Sequence, residues 1–125
     1  MIKNFSDCLK FGKLKKFSRG KVLAAKEARL AEEDLKTAGK SYAEANYRWC
    51  LIQLYYSMFH SARALLYFKN YREHSHYCLI EAIRELYLKP GIINSYFLEA
   101  LIEAKNLREA ADYYGEYNAL NAKKL

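Results

Sequence analysis

Tyr56, His60, Arg63 and Tyr67 recur at spacings of four, three and four residues within the run Gln53–His76. On a helix they would share one face. An imidazole titrates near neutrality, and a guanidinium binds phosphate or carboxylate with two parallel bonds. The rest of the run is mostly apolar, and charged groups buried there are costly unless paired. The stripe therefore reads either as part of a site or as tyrosines with satisfied hydroxyls around a hydrogen-bonded histidine. Further along, Arg108 falls on the apolar face marked by Phe97, Leu101, Ala104 and Ala111, with Asp112 one turn on. At that spacing the two side chains reach each other. They form either an internal ion pair or an anchor for an anion.

Other chemistries find less support. His74 and His76 are separated by one residue, and no recognisable ligand set completes them, so no metal site is expected. There is no phosphate-cradling glycine loop, nucleophile elbow or Cys-x-x-Cys, and no cofactor is expected. His76 is expected near the start of a helix, packed on its neighbours or facing a cleft. Twelve tyrosines in 125 residues cannot all be core, and suit an interface or base stacking.

The elements that must position these residues are helical. Hydrophobic residues make up 52% of the chain, with one proline and five glycines, and strand signatures are absent. Five segments are predicted. The first, Lys3–Leu14, is short. The second, Arg19–Ala38, has a thin apolar stripe and ends at Gly39. The third, Ser41–Lys69, opens on a Ser41-to-Glu44 capping box and spans about 40 Å. Trp49, Ile52, Tyr56, Phe59, Leu65 and Phe68 cover most of its circumference, as in a bundle centre or subunit interface. Asn70 suits the left-handed conformation that stops it. The fourth, Ser75–Leu88, ends at Lys89-Pro90-Gly91, and the fifth runs from Ile92 or Asn94 toward the C-terminus.

The net charge is +7, and its placement matters more than its size. Residues 1–26 carry eight basic side chains against Asp7 alone, and the remainder balances. Such a segment is either a basic surface for phosphate backbones or an acidic protein, or a solvated, frayed terminus. No uncharged apolar stretch reaches the roughly 18 residues of a membrane span, and no signal peptide is evident. Cys8, Cys50 and Cys78 are an odd number without framework spacing, which fits reduced thiols in a cytoplasmic protein. Cys50 and Cys78 read as core fillers.

Four stretches together resemble the HEPN domain, in its short stand-alone bacterial and archaeal branch. They are Ala31–Asp34–Leu35–Ala38, then YYSMFHSARALLY at Tyr55–Tyr67, then Ser75–His76 ahead of Ala82–Tyr87, and LREAADY at Leu107–Tyr113. They cover residues 22–114. The resemblance implies an all-α, up-and-down bundle of four to five helices that usually dimerises. It also implies a frequent partner, a minimal nucleotidyltransferase, as the other half of a toxin–antitoxin pair. Active HEPN ribonucleases carry an arginine followed, after four to six residues, by a histidine, and cut RNA without metal across the dimer. Arg108 matches that arginine, but positions 113–115 are Tyr113, Tyr114 and Gly115, and no histidine follows.

The expectation is therefore a single HEPN-like domain over 1–125 with a basic N-terminal segment 1–20. It is a homodimer that binds a nucleotide, RNA or a nucleotidyltransferase, and binding is favoured over catalysis, with no catalytic residue assigned. Arg108, Asp112, Tyr56, His60, Arg63 and His76 would line one cleft, with Tyr113 at its rim. The alternatives are a metal-independent ribonuclease toxin using a rearranged histidine, and a purely structural interaction module.

Overall fold

The computed structural model describes residues 1–113, 115 and 117–125. In chain order the elements are α1 (Phe5–Lys10), β1 (Leu14–Lys16), α2 (Gly20–Ala43), α3 (Tyr47–Phe68), β2 (Tyr71–Glu73), α4 (His76–Ile83), α5 (Ser95–Tyr113) and α6 (Ala119–Lys124). The fold is all-α, as the sequence predicts for a HEPN-like helical bundle. Among the described residues no helix is long and apolar enough to cross a membrane. The chain forms two compact units, Met1–Ala28 with Ser61–Leu98, and Arg29–His60 with Glu99–Leu125.

The first unit holds the basic N-terminal segment, which is folded. Asn4 caps α1 by accepting from the Asp7 amide at 2.9 Å. β1 pairs antiparallel with β2, Leu14 opposite Glu73, Lys15 opposite Arg72 and Lys16 opposite Tyr71. This two-stranded ribbon corrects the expectation of a strandless chain. The Tyr77 hydroxyl donates to the Lys3 carbonyl at 2.9 Å, and Phe5 meets Tyr71 edge-on. Cys8 and Cys78, both wholly buried, form a disulfide, so neither is the reduced thiol the sequence suggests. Spacing alone could not show this, because the two are 70 residues apart.

At the end of α3, Asn70 adopts φ 61, the left-handed stop expected of it. Its side chain accepts from the Lys21 amide and its carbonyl from the Phe17 amide. Here α2 begins against the last turn of α3. A Cβ on Gly20 would lie 2.2 Å from the Tyr67 carbonyl oxygen, so only glycine allows the approach. Ser75 caps α4, whose Leu79, Ile80, Ala82 and Ile83 are buried. A π-helical turn, Arg84–Leu88, continues it and buries Tyr87. The Tyr87 hydroxyl donates to the Leu65 carbonyl at 2.5 Å.

The second unit builds its core from Ala38, Cys50, Leu51, Leu54, Ala111 and Ala122, flanked by Tyr47, Leu107 and Leu125. The helix break expected at Gly39 lies at Ala45, where φ is 60. Gly39 sits inside α2 with open space beside it, and an exposed helical glycine costs only about 1 kcal/mol. Ser41 is no cap. It is buried, and its hydroxyl hydrogen-bonds the Gln53 side-chain amide at 2.8 Å. Trp49 is exposed despite its place on the apolar α3. The expected fifth segment divides in two: α5 ends at Tyr113, and Asn118 caps α6 by accepting from the Asn121 amide.

Candidate functional site

The second unit brings three of the singled-out residues into contact. Arg108 lies on α5 and Tyr56 on α3, while Tyr113 ends α5. The Arg108 guanidinium carbon stands 5.0 Å from the centre of the Tyr55 ring and 5.8 Å from those of Tyr56 and Tyr113. These are cation–π distances. Arg108 Nη1 donates to the Tyr56 hydroxyl at 3.4 Å. Arg108 Nε is buried and, among the described residues, has no hydrogen-bond acceptor. Burial works against the charge, but the Tyr56 hydrogen bond and the surrounding tyrosine oxygens outweigh it and hold the pKa above its ordinary value.

His60 adjoins this cluster one turn along α3. Its ring centre is 6.5 Å from that of Tyr56 and 5.7 Å from that of Phe59. Its Nε2 stands 3.8 Å from Asp34 Oδ2. Burial raises the Asp34 pKa, His60 opposes the rise, and the Glu33 charge adds to it.

Asp112 does not pair with Arg108. Its Oδ1 takes a hydrogen bond from Arg48 Nη2 at 3.1 Å, and Arg48 Nε also donates to the Ala111 carbonyl at 3.3 Å. The i, i+4 expectation is corrected for a physical reason. Arg108 turns to the α3 aromatics, and Arg48 caps the end of α5 where Asp112 lies. The sequence does not single out Arg48, since helical spacing reports neighbours on one helix only, and it shows Tyr55 only as the start of the Tyr55–Tyr67 stretch.

Arg63 and His76 belong to the first unit. Arg63 Nη2 and Nε both donate to Glu73 Oε2, at 2.7 and 3.1 Å, and Arg63 Nη1 stands 3.8 Å from Glu27. Burial opposes the Arg63 charge, and the Glu73 hydrogen bond and charge raise its pKa overall. Arg63 is thus an ion-paired packing residue. Tyr67 stacks beside it, its guanidinium carbon 6.0 Å from the ring centre, and burial raises the Tyr67 pKa. His76 opens α4, half-buried, and His74 is exposed after β2. Of the three positions at which the ribonuclease histidine would fall, Tyr114 lies outside the described residues.

The Arg108 cluster presents a cation whose face is lined by aromatic rings and whose donors are not consumed by a carboxylate. Such a group accepts an anion and stacks planar rings beside it. The imidazole one turn along α3, His60, is already set against a carboxylate.

The HEPN domain family model matches residues 26–124. Two curated relatives come from Methanocaldococcus jannaschii. The protein named "Putative toxin MJ0605" is 33% identical over 84 residues, 67% of this chain and 63% of that protein. "Putative toxin MJ0142" is 29% identical over 83 residues, 66% of this chain and 56% of that protein. The chain thus spans less than two thirds of the length of either. No solved structure matches it. The family model takes in α3, α4 and α5 whole, with Arg108 and the tyrosines around it, and on that match the chain belongs to the HEPN family.

Proposed function

We propose that this chain is the HEPN component of a toxin–antitoxin-type pair, and that it binds a nucleotide or an RNA phosphate at Arg108 without the usual ribonuclease motif. Residues 1–125 act in this reading as one HEPN-like domain. The observation that carries it is the Arg108 environment. Three tyrosine rings surround the guanidinium, no carboxylate pairs with it among the described residues, and Nε is buried without an acceptor. Aromatic faces and a fork of donors suit a base and its phosphate together. The names of the two relatives support the toxin–antitoxin setting. A homodimer, a minimal nucleotidyltransferase partner and a cytoplasmic location complete the proposal. Partner binding is supported by an open groove of about 310 Å³ in the second unit, lined by Leu35, Ala38, Tyr42, Leu54 and Lys123 among others.

Fluorescence titration with AMP, ATP and short RNAs tests the ligand. Arg108→Ala is expected to weaken binding by tenfold or more, about 1.4 kcal/mol. No binding by the wild type, or equal binding by the variant, removes the ligand from the proposal. A second reading, metal-independent RNA cleavage through His60, is favoured by the Asp34 carboxylate 3.8 Å from its Nε2. It requires cleavage in chelator that His60→Ala abolishes.

A further inference from the structure

The ribbon of the first unit carries a charge pattern that folding does not explain. Hydrogen bonds from the His74 amide to the Lys13 carbonyl and from the Phe17 amide to the Asn70 carbonyl extend the β1–β2 pairing at both ends. Alternation along paired strands then puts Lys13, Lys15, Arg72 and His74 on one face, with Phe17 at its end. All four polar members are exposed, while Leu14 and Glu73 on the opposite face are buried. Lys15 stands directly opposite Arg72, and like charges so placed destabilise a ribbon. Among the described residues, none of Lys13, Lys15, Lys16, Arg19, Lys21 or Arg72 has a carboxylate partner.

Aromatic rings accompany the cations of this unit. Arg72 is 5.5 Å from the Phe17 ring centre, Lys10 is 5.6 Å from that of Phe11, and Lys21 is 5.8 Å from that of Phe68. Phe11 and Phe68 are more than half exposed. The segment is also fastened in place by the Cys8–Cys78 disulfide and the Tyr77–Lys3 hydrogen bond. β1 lies outside the residues matched by the family model, 26–124.

We infer that this ribbon face binds single-stranded nucleic acid, the cations tracking the phosphates and the exposed phenylalanines stacking bases. A preorganised row of unpaired cations with stacking rings has the chemistry of a sequence-tolerant single-strand site. An acidic protein would satisfy the lysines, but a single strand offers a planar base beside each phosphate, which suits Phe11 and Phe68 as well. The inference is independent of the Arg108 reading.

The test is fluorescence anisotropy of a labelled 12-nucleotide RNA, the matching DNA strand, the RNA duplex and a poly-glutamate competitor, across a salt series. The triple variant Lys13→Gln/Lys15→Gln/Arg72→Gln is expected to weaken single-strand binding on the order of tenfold at low salt, and to lower the log–log salt slope by about 2. It should unfold at the same temperature as the wild type or higher, since it removes the Lys15–Arg72 repulsion, so lost binding would not reflect misfolding. Phe11→Ala/Phe68→Ala should abolish the preference for single strands over duplex. Arg108→Ala should lower the slope by no more than the single phosphate contact assigned to it, about 1, and leave the ribbon's share in place. RNA binding tighter than DNA, or the reverse, names the natural strand and upholds the site. An unchanged slope in the triple variant overturns the inference. So does loss of all oligonucleotide binding in Arg108→Ala, or competition by poly-glutamate equal to that of RNA at matched charge.

Discussion

Arg63 in the first unit and Arg108 in the second are both half-buried arginines on long helices, yet their surroundings differ in kind. Arg63 gives two donors to Glu73 and faces Glu27 as well. Arg108 meets tyrosine rings and one tyrosine hydroxyl. The cysteines follow the same division. Cys8 and Cys78 are joined in the first unit, while Cys50 stays a buried free thiol in the second. The first unit settles its reactive and charged interior groups against one another. The second keeps a cation and a thiol unspent. A strong ion pair fixes structure and leaves little to offer a ligand. A cation held by aromatic faces costs less to re-partner.

The largest expected effect breaks or secures the structural half of this comparison. Arg63→Met leaves Glu73 buried with its charge unmatched, and removing one partner of a buried pair costs about 3–5 kcal/mol. The double variant Arg63→Met/Glu73→Leu should recover most of that loss, because the uncompensated charge goes with it. Denaturant unfolding reads both. Arg108→Met strands no carboxylate, and is expected to cost about 1 kcal/mol of stability, the scale of its cation–π contacts. If Arg63→Met costs no more than Arg108→Met, the two arginines are not housed differently in any energetic sense.

Next in size is the disulfide. Cys8→Ala/Cys78→Ala, or reduction, is expected to lower stability by about 2–4 kcal/mol, because the link closes a long loop of the unfolded chain. Thiol titration of the denatured protein should find Cys50 alone before reduction and all three cysteines after it. In the native protein Cys50 should react slowly, since burial raises its pKa and keeps it a thiol. Three thiols before reduction would remove the link and with it the contrast in how the two units treat their cysteines.

What was legible in the sequence was local. Asn70 and Ser75 act as the stop and start that their side chains suggest, because each signal lies within a few residues of its effect. The course of α3 through Tyr56, His60 and Arg63 was equally readable from its period. What was not legible depends on partners distant in sequence. Leu14-Lys15-Lys16 has no strand pattern of its own and becomes a strand by pairing with Tyr71–Glu73. Arg48 reaches Asp112 across 64 positions, and no helical spacing announces it. Ser41 looked like a cap because it is followed by Glu44, but its hydroxyl has a better use against Gln53. At the candidate site Arg108 does not take the carboxylate expected of it. Its true neighbours are aromatic, and aromatic residues at helical spacing look the same whether they line a cation or a core.

The smallest expected effect separates the loose His60–Asp34 pair of the second unit from the tight Arg63–Glu73 pair of the first. Asp34 is held above its ordinary pKa chiefly by burial, with His60 opposing. A carboxylate whose pKa is raised by folding favours the native state while protonated. Its contribution is present below the unfolded pKa and is lost as pH rises through the folded one. Urea midpoints measured from about pH 3 to pH 7, across the carboxylate range, should therefore carry a shallow component that falls with pH. Asp34→Asn should remove that component. His60→Ala should steepen it, because the imidazole that eases the Asp34 charge is gone. The opposite sign, with stability gained as pH rises and that gain lost in Asp34→Asn, would mean that His60 holds Asp34 as firmly as Arg63 holds Glu73. His60 would then be committed to its carboxylate, and the case for it as a proton carrier beside Tyr56 and Arg108 would fall with that result.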